Sequence, residues 1–226
     1  MRSETILERW SAELHDRGFD LVVAFDTGLL RGLETLEALP SFGQPSSFAL
    51  FVAHGRALWK PFLNALARDP ALASSEHPLD RYTEACIEEL YRTESVAARA
   101  FYSHSLDPCL PFQRMAELIG LAELSPSRLS IHPRLGPWLG LRALIVFDAP
   151  PVRQRSVPRR LSLCAPCAKP CMAALSKAQA EPRDHGESWF RAWLRVRDSC
   201  PVGRDARYGD NQIRYHYTKD KRALSE

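Results

Sequence analysis

The sequence predicts an α+β fold in which helices flank a mostly antiparallel sheet. Three observations predict it. The chain has 226 residues, of which 45% are hydrophobic and 25% charged, as in an ordinary globular domain. Apolar residues at helical spacing alternate with short runs of β-forming residues. No internal repeat is visible, and the irregular order of helices and strands is typical of the α+β class.

The N-terminal half supplies the first five elements. Ile6, Trp10 and Leu14 recur at helical spacing, and Gly18 ends that helix. Pro61 lies inside a later helical pattern and indicates a kink or a late start. The predicted elements are a helix over 5–17, strands over 19–25 and 48–53, and helices over 56–68 and 80–94.

The next elements surround a short loop with the sequence HPRLGP. They are a strand over 98–105, a helix over 111–121, strands over 128–131 and 138–147 on either side of the loop, and a helix over 187–196. Alternation along the strand 138–147 places Gly140, Arg142 and Leu144 on one face. A guanidinium in this apolar run needs an anionic or carbonyl partner. That partner is either one of the chain's own carboxylates, such as Asp148 or a helix acid, or a bound anion.

The composition changes near residue 150, where prolines and arginines become frequent. We therefore expect a domain over 1–150 and a basic, Cys-rich segment over 151–226 that packs on it. The first carries 14 Lys/Arg and 19 Asp/Glu, and the second carries 16 and 8. A basic segment suits nucleic acid, an anionic cofactor or the rim of a negatively charged metal cluster, and charge alone does not choose among them.

Several classes of protein are excluded. No apolar run approaches the roughly 18 residues that a membrane helix needs. The beginning, MRSETILERW, lacks an apolar signal region, so the expected address is cytoplasmic. The chain contains no P-loop, G-x-G-x-x-G, nucleophile elbow or HExxH motif.

Four of the six cysteines fall in the basic segment with a specific spacing. Cys164-x2-Cys167-x3-Cys171 is followed by a distant Cys200 that precedes a proline. A compact run of three thiolates plus a distant Cys-Pro is typical of iron–sulfur ligation and completes one four-Cys set. We therefore expect these four cysteines to hold a 4Fe–4S cluster.

Two alternatives to the cluster stay open. The same four cysteines suit a structural zinc site, although Cys200 lacks the C-x2-C partner that zinc sites often show. They could also be unrelated free cysteines. Leu175-Ser176 occupies the position where a second cluster's ligand would be expected, so a second cluster is not predicted. Cys86 and Cys109 are expected to be free residues.

The segment IHPRLGPWLGLR (131–142) resembles the most recognisable segment of the cobalamin-processing CblC family, intracellular proteins that receive cobalamin and remove its upper ligand. FALFVAHGRALWKPFL (48–63), VAARAFYSHS (96–105) and the C-terminal stretch with Arg207-Tyr208, Gln212 and Tyr215 are also similar to that family. The likeness covers most of 19–226. The cysteine motif departs from the animal members and looks like that of bacterial relatives with ferredoxin-type cysteines. Epoxyqueuosine reductases and reductive dehalogenases are a second, more distant resemblance.

The resemblance implies a flavin-nitroreductase-like fold with a corrinoid pocket. The implied pocket residues are Tyr102, His104, His132, Pro133, Arg134, Gly136, Trp138 and Arg207. Arg142 matches an arginine that relatives use for glutathione or another anionic cofactor, and we expect it to be catalytic. Taken without the resemblance, His132 reads as a structural residue beside a turn, and Arg134 as a solvated loop residue. Ser103 and His104 replace residues that resemble Tyr and Gln in animal members.

Three functions follow as hypotheses. The first is a cobalamin-binding iron–sulfur reductase that removes cyanide or an alkyl group, with electrons from a donor protein or a flavin reductase. The second is a non-catalytic cobalamin chaperone with a structural cluster or zinc. The third is an epoxyqueuosine-reductase-like enzyme, which only the basic segment supports, so nucleic-acid binding is not expected. The sequence does not specify flavin or glutathione use, the donor, the preferred corrinoid or the oligomeric state.

Overall fold

The computed structural model describes residues 2–33, 36–152, 160–182 and 186–225. Its helices are α1 (Arg2–Asp16), α2 (Trp59–Arg68), α3 (Pro70–Ser74), α4 (Pro78–Arg92), α5 (Phe112–Leu118), α6 (Pro170–Ala180), α7 (Glu187–Asp198) and α8 (Asp210–Thr218). Its strands are β1 (Leu21–Asp26), β2 (Phe48–His54), β3 (Ala98–Tyr102), β4 (Glu123–Leu124), β5 (Ser130–Ile131) and β6 (Gly140–Phe147). None of the described helices combines the length and apolar character that a bilayer crossing requires.

A four-stranded sheet in the order β1-β2-β6-β3 organises the fold, and every neighbouring pair in it is antiparallel. β4 and β5 form a separate two-stranded ribbon. The predicted α+β class, with helices flanking a mostly antiparallel sheet, is confirmed.

The sheet separates two apolar layers, which explains why all seven residues of β2 are buried. Phe48, Leu50 and Val52 face the layer that contains α1, α2 and α4, whereas the alternate residues of β2 face the layer that contains α5. Burying each large apolar side chain in these layers contributes about 1.5–3 kcal/mol relative to exposure. A strand with apolar side chains on both faces therefore belongs at the centre of the sheet.

The C-terminal elements pack on the same body. Tyr215 of α8 and Ala223 join the core layer of α1, α2 and α4, while Leu175 of α6 packs with Val196 of α7. The division into 1–150 and 151–226 stays a prediction. Arg153, Arg155, Pro158 and Arg159 of the expected linker lie outside the described residues.

A β-bulge corrects the prediction for the faces of β6. Val52 pairs with Ala143 and Ala53 pairs with Leu141, which leaves Arg142 between them without a partner on β2. Leu144 faces the layer of α5, whereas Arg142 reaches Asp80 of α4. The expectation that Arg142 and Leu144 share a face is wrong because the extra residue of a bulge re-aims the side chain that it carries.

Other differences concern the ends and partners of elements. β5 pairs with β4 and not with β6, so the two strands around the HPRLGP loop do not form a hairpin. β3 ends at Tyr102, because Ser103 and His104 already form a turn. Pro61 falls in the first turn of α2, where a missing N–H costs nothing, so the late start is the correct explanation.

Candidate functional site

The loop over 132–138 is closed by its own histidine. The His132 and Gly136 backbones exchange two hydrogen bonds of 2.9 and 2.8 Å. The Nδ1 atom of His132 accepts from the amides of Arg134, at 3.2 Å, and Leu135, at 3.1 Å. Burial lowers the pKa of His132, and the Arg134 charge lowers it further, so the ring is neutral and acts as an internal cap. Pro133 and Arg134 stand exposed at the tip of the loop.

The last residue of this loop borders a cavity that we name the arginine pocket. Its walls include Trp138, Arg142, Arg197, Tyr208, His216 and Tyr217. The Arg197 guanidinium carbon lies 6.0 Å from the Trp138 ring centroid, and the same side chain donates to the Pro137 carbonyl. Arg207 lies 5.5 Å over the same Trp138 ring and is ion-paired with Asp198 and Asp210. Two guanidiniums line the pocket itself, those of Arg142 and Arg197, and they make it favourable for an anionic group.

Arg142 occupies the centre of a buried polar network. Its Nε donates to His54 Nε2 at 3.0 Å, and its Nη1 donates to Asp80 Oδ1 at 3.3 Å. Only 11% of the side chain is exposed, and burial lowers the pKa of the guanidinium while Asp80 opposes that effect. The chain's own carboxylate that the sequence left as one alternative is therefore present, and it is a helix acid of α4.

Two neutral histidines stack beside Arg142. The His54 and His216 ring centroids lie 6.0 Å apart, and Tyr208 lies 5.4 Å from His216. Burial, reinforced by the Arg142 charge, lowers the pKa of both imidazoles well below the usual value. His54 Nδ1 lies 2.7 Å from the Gly55 carbonyl and so carries the proton, which leaves Nε2 to accept from Arg142. Within the described ranges, the buried Nε2 of His216 has no hydrogen-bond partner.

The predicted residues Tyr102 and His104 lie next to this network, because His104 contacts Asp80 and Glu84 of α4 and Tyr102 stacks on His104. Their rings stack with centroids 5.4 Å apart. His104 Nε2 lies 2.9 Å from Glu84 Oε1, and its Nδ1 lies 3.6 Å from the Asp80 oxygen that Arg142 also contacts. Burial raises the pKa of Tyr102. These two side chains therefore flank the Asp80–Arg142 pair and do not line the arginine pocket itself.

Cys164, Cys167, Cys171 and Cys200 face a second cavity, the cysteine pocket, which also includes Ile131 and Val202. Burial raises the pKa of Cys164 to about 11, and the Glu123 charge and the three other thiols add to this rise. Cys86 is buried and Cys109 exposed away from this pocket. Within the ranges that the structure describes, no group of three or more His, Cys, Asp or Glu side chains is arranged closely enough to hold a metal ion.

The cysteine pocket nevertheless has the donor set of a thiolate-ligated group. The Lys169 amide donates to Cys167 Sγ at 3.3 Å. Glu123 accepts from the amides of Leu163 and Cys164 and thereby fixes the turn that carries the first cysteine. Amide bonds to sulfur favour the thiolate form that iron or zinc requires, so these residues fit a cluster or a zinc ion.

Sequence reasoning missed several residues in and next to the two pockets. Arg197 and His216 line the arginine pocket. His54 and Asp80 are hydrogen-bonded to Arg142, and Glu123 accepts from the Cys164 amide. Asp80 looked like an ordinary acidic residue in the first turn of a helix, and Glu123 like a surface acid. His216 follows the buried Gln212 at i+4, and this polar pair on one helical face was the available signal.

Comparison with solved structures gives the same fold over the whole chain. The B12-trafficking protein CblC of C. elegans, described as a homologue of human MMACHC, superposes with a TM-score of 0.66 at 17% identity. The match covers 99% of this chain and 96% of that protein. No protein-family profile and no curated protein matches the sequence. At this identity, the likeness establishes the nitroreductase-like fold of CblC and not the activity.

Epoxyqueuosine reductases share the fold less completely. The enzyme from Bacillus subtilis superposes with a TM-score of 0.51 at 14% identity, over 91% of this chain and 67% of the enzyme. An epoxyqueuosine reductase solved with a modified transfer-RNA stem loop gives a TM-score of 0.52 at 13% identity, over 92% and 68%. The suspected relation to both groups is therefore confirmed as a likeness of fold.

Proposed function

We propose that this chain binds cobalamin with its lower base displaced and reductively removes the upper axial ligand, either cyanide or an alkyl group. One observation carries the proposal. Loop 132–138, which resembles the CblC segment, lies between a pocket with two guanidiniums and a pocket with four cysteines. The end-to-end likeness of fold to a B12-trafficking protein supports the same assignment.

The residues around the arginine pocket would bind and orient the corrinoid. Exposed Pro133 and Arg134 and the stacked, half-buried pair Tyr102–His104 would contact the macrocycle. Arg142 and Arg197 would receive an anionic group, such as the nucleotide phosphate of the corrinoid, a flavin phosphate or the carboxylates of glutathione. Arg207, held over Trp138 by Asp198 and Asp210, would stiffen this wall.

The cysteine pocket would hold a 4Fe–4S cluster through Cys164, Cys167, Cys171 and Cys200. Such a cluster supplies one electron at a time. For cyanocobalamin, one electron reduces Co(III) to Co(II), and cyanide leaves as the anion with the electron pair of the cobalt–carbon bond. The chain's own work is to exclude water, keep the lower base off cobalt and hold the two redox groups at a fixed separation.

The second candidate function is a non-catalytic cobalamin carrier. A specific observation favours it, because Arg142 already has a carboxylate and an imidazole as partners and needs no ligand to satisfy its charge. In that case the cysteine pocket would hold a structural cluster or zinc. Both functions predict cobalamin binding, and only the first predicts ligand removal.

The deciding experiment measures cyanide release under strictly anaerobic conditions. Protein reduced with titanium(III) is mixed with cyanocobalamin, and cyanide is followed against a protein-free control. We expect wild type and Cys109→Ala to release cyanide at the same rate, since Cys109 lies outside the cysteine pocket. Single replacements of Cys164, Cys167, Cys171 or Cys200 by Ala should lower iron content and slow release at least about tenfold, or roughly 1.4 kcal/mol.

The other outcomes separate the alternatives. Unchanged iron content in all four cysteine variants would remove the cluster assignment. Stoichiometric zinc in anaerobic protein would establish the structural zinc site. Cobalamin binding without release by wild type under any reductant would establish the carrier.

A further inference from the structure

The loop over 132–138 and the turn over 200–203 touch through their backbones. Gly136 and Gly203 both adopt left-handed conformations, with φ of +56° and +70°. A Cβ atom on Gly136 would stand 1.9 Å from the Val202 carbonyl oxygen, and one on Gly203 would stand 2.1 Å from the Leu135 carbonyl carbon. The two segments can therefore approach this closely only because neither glycine carries a side chain.

The Val202 peptide connects the two pockets at this contact. Its carbonyl oxygen lies against Gly136, and Val202 lines the cysteine pocket two residues after Cys200. On the opposite side, the chain leads from Gly136 to Trp138, which lines the arginine pocket, and the internal bonds of His132 hold the loop rigid. A movement of the loop therefore shifts the Val202 peptide and, with it, the turn that places Cys200 in the cysteine pocket.

The orientation of its ligands and the exposure of a cluster to solvent help to set its reduction potential. We propose that Gly136 and Gly203 are positioning residues whose contact couples the two sites, so that corrinoid binding changes the reduction potential of the group held by Cys200. By linkage, the oxidation state of that group changes corrinoid affinity by the same factor. This inference rests on the proposed function, since it requires a redox group in one pocket and a corrinoid beside the other.

The test uses a corrinoid that takes no electrons from the protein. Hydrogenobalamin, which lacks cobalt, is added to anaerobic protein, and the potential of the cluster is measured by titration monitored by electron paramagnetic resonance. We expect a shift equivalent to about a tenfold difference in affinity between oxidation states, which is about 59 mV for one electron. No shift in wild type at saturating hydrogenobalamin would overturn the coupling.

Glycine variants then test whether the contact carries the shift. Gly203→Ala should reduce the coupling to less than about twofold, because the added methyl group forces the two segments apart. Gly43→Ala is the matched control, since Gly43 has φ of +73° and no atom within 4 Å of an added Cβ. It carries the same backbone strain without the clash and should keep the full coupling. Equal coupling in both variants would contradict the assignment.

Two further results keep the inference separate from the proposed function. If Gly203→Ala does not fold, Val202→Gly relaxes the same peptide without adding bulk and should also weaken the coupling; full coupling in Val202→Gly would overturn the inference. If hydrogenobalamin does not bind, or no redox group is present, the proposed function fails and this inference fails with it. If hydrogenobalamin binds and the redox group is present but its reduction potential does not change, only the inference fails.

Discussion

Arg142 shows how a single buried charge can serve two purposes. The β-bulge turns its side chain toward α4, where Asp80 and His54 satisfy two of its donors. A buried guanidinium needs such partners to be tolerated at all. The same side chain lines the arginine pocket next to Arg197, so it is held in a fixed position with its charge toward a cavity. A structural pairing and a role toward a ligand are therefore compatible at this residue.

The first prediction concerns Arg142→Gln, which removes the charge and keeps much of the stem. If Arg142 serves the reaction, cobalamin binding should survive while removal of the upper ligand falls at least about tenfold, or roughly 1.4 kcal/mol. Asp80→Asn is the companion variant, because it disturbs the pairing and leaves the guanidinium in place. Loss of binding and ligand removal together, with a lower melting temperature, would show that Arg142 is structural.

The second prediction concerns His54 and His216, whose pKa values are lowered by burial and by the Arg142 charge. Below about pH 6.5 the unfolded chain takes up protons that the folded chain cannot accept, so stability falls as the pH falls. Each such histidine contributes up to about 1.4 kcal/mol per pH unit. Arg142, Arg197 and Lys219 face His216 and oppose its protonation in the folded state.

Urea unfolding between about pH 7.5 and pH 5.5 measures this dependence. We expect His216→Phe to reduce the slope of the unfolding free energy against pH by roughly the contribution of one histidine. A change at the exposed His15 should leave this slope unaltered. An unchanged slope in His216→Phe would mean that His216 is protonated in the folded state.

At the scale of elements, the strongest periodic patterns predicted the fold well. Ile6, Trp10 and Leu14 are all buried on α1, and the apolar run over 48–53 became the central strand. The helices α6 and α8 were missed for local reasons. Pro170 suggested a break, but it stands in the first turn of α6, where proline is favoured. α8 is polar along most of its length and buries only Gln212, Ile213 and Tyr215.

The candidate site, too, was predicted from the sequence only in part. The cysteine spacing predicted one four-Cys ligand set, because ligand spacing is a local signal completed by a single distant residue. The structure places these residues, separated by up to 36 positions, around one pocket, and their role as ligands stays a prediction. The sequence left a helix acid open as a partner of Arg142, but it could not single out Asp80 or His54, since the bulge at Val52/Ala53 depends on the register of three strands. Register is a tertiary property that single-sequence periodicity does not encode.

The third prediction concerns Gly140, the first residue of β6. A Cβ atom on Gly140 would stand 2.3 Å from Nε2 of the buried His54 ring. Gly140→Ala should therefore destabilise the protein by about 1–3 kcal/mol through overpacking. Gly209→Ala is the control, because it meets no atom within 4 Å and should cost less than about 1 kcal/mol. Equal unfolding midpoints for the two variants in urea would show that the His54 ring can move away.

In the whole molecule, the acidic and the basic parts of the chain contribute different features. The acidic 1–150 part supplies the sheet and most of its core layers. The basic 151–226 part supplies the four cysteines and two cationic side chains around Trp138, those of Arg197 and Arg207. The meeting point of the two parts is loop 132–138, which lines the arginine pocket through Trp138 and touches Val202 of the cysteine pocket through Gly136. Under the proposed function, this loop has a corrinoid on one side and a redox group on the other.

The most direct test of this account is one anaerobic absorption experiment on freshly purified protein. We predict about four iron atoms per chain, a broad visible charge-transfer band that bleaches on reduction, and conversion of added cob(II)alamin to its base-off spectrum with saturation near one corrinoid per chain. Cob(II)alamin that keeps its base-on spectrum in the presence of excess iron-loaded protein would contradict the central claim.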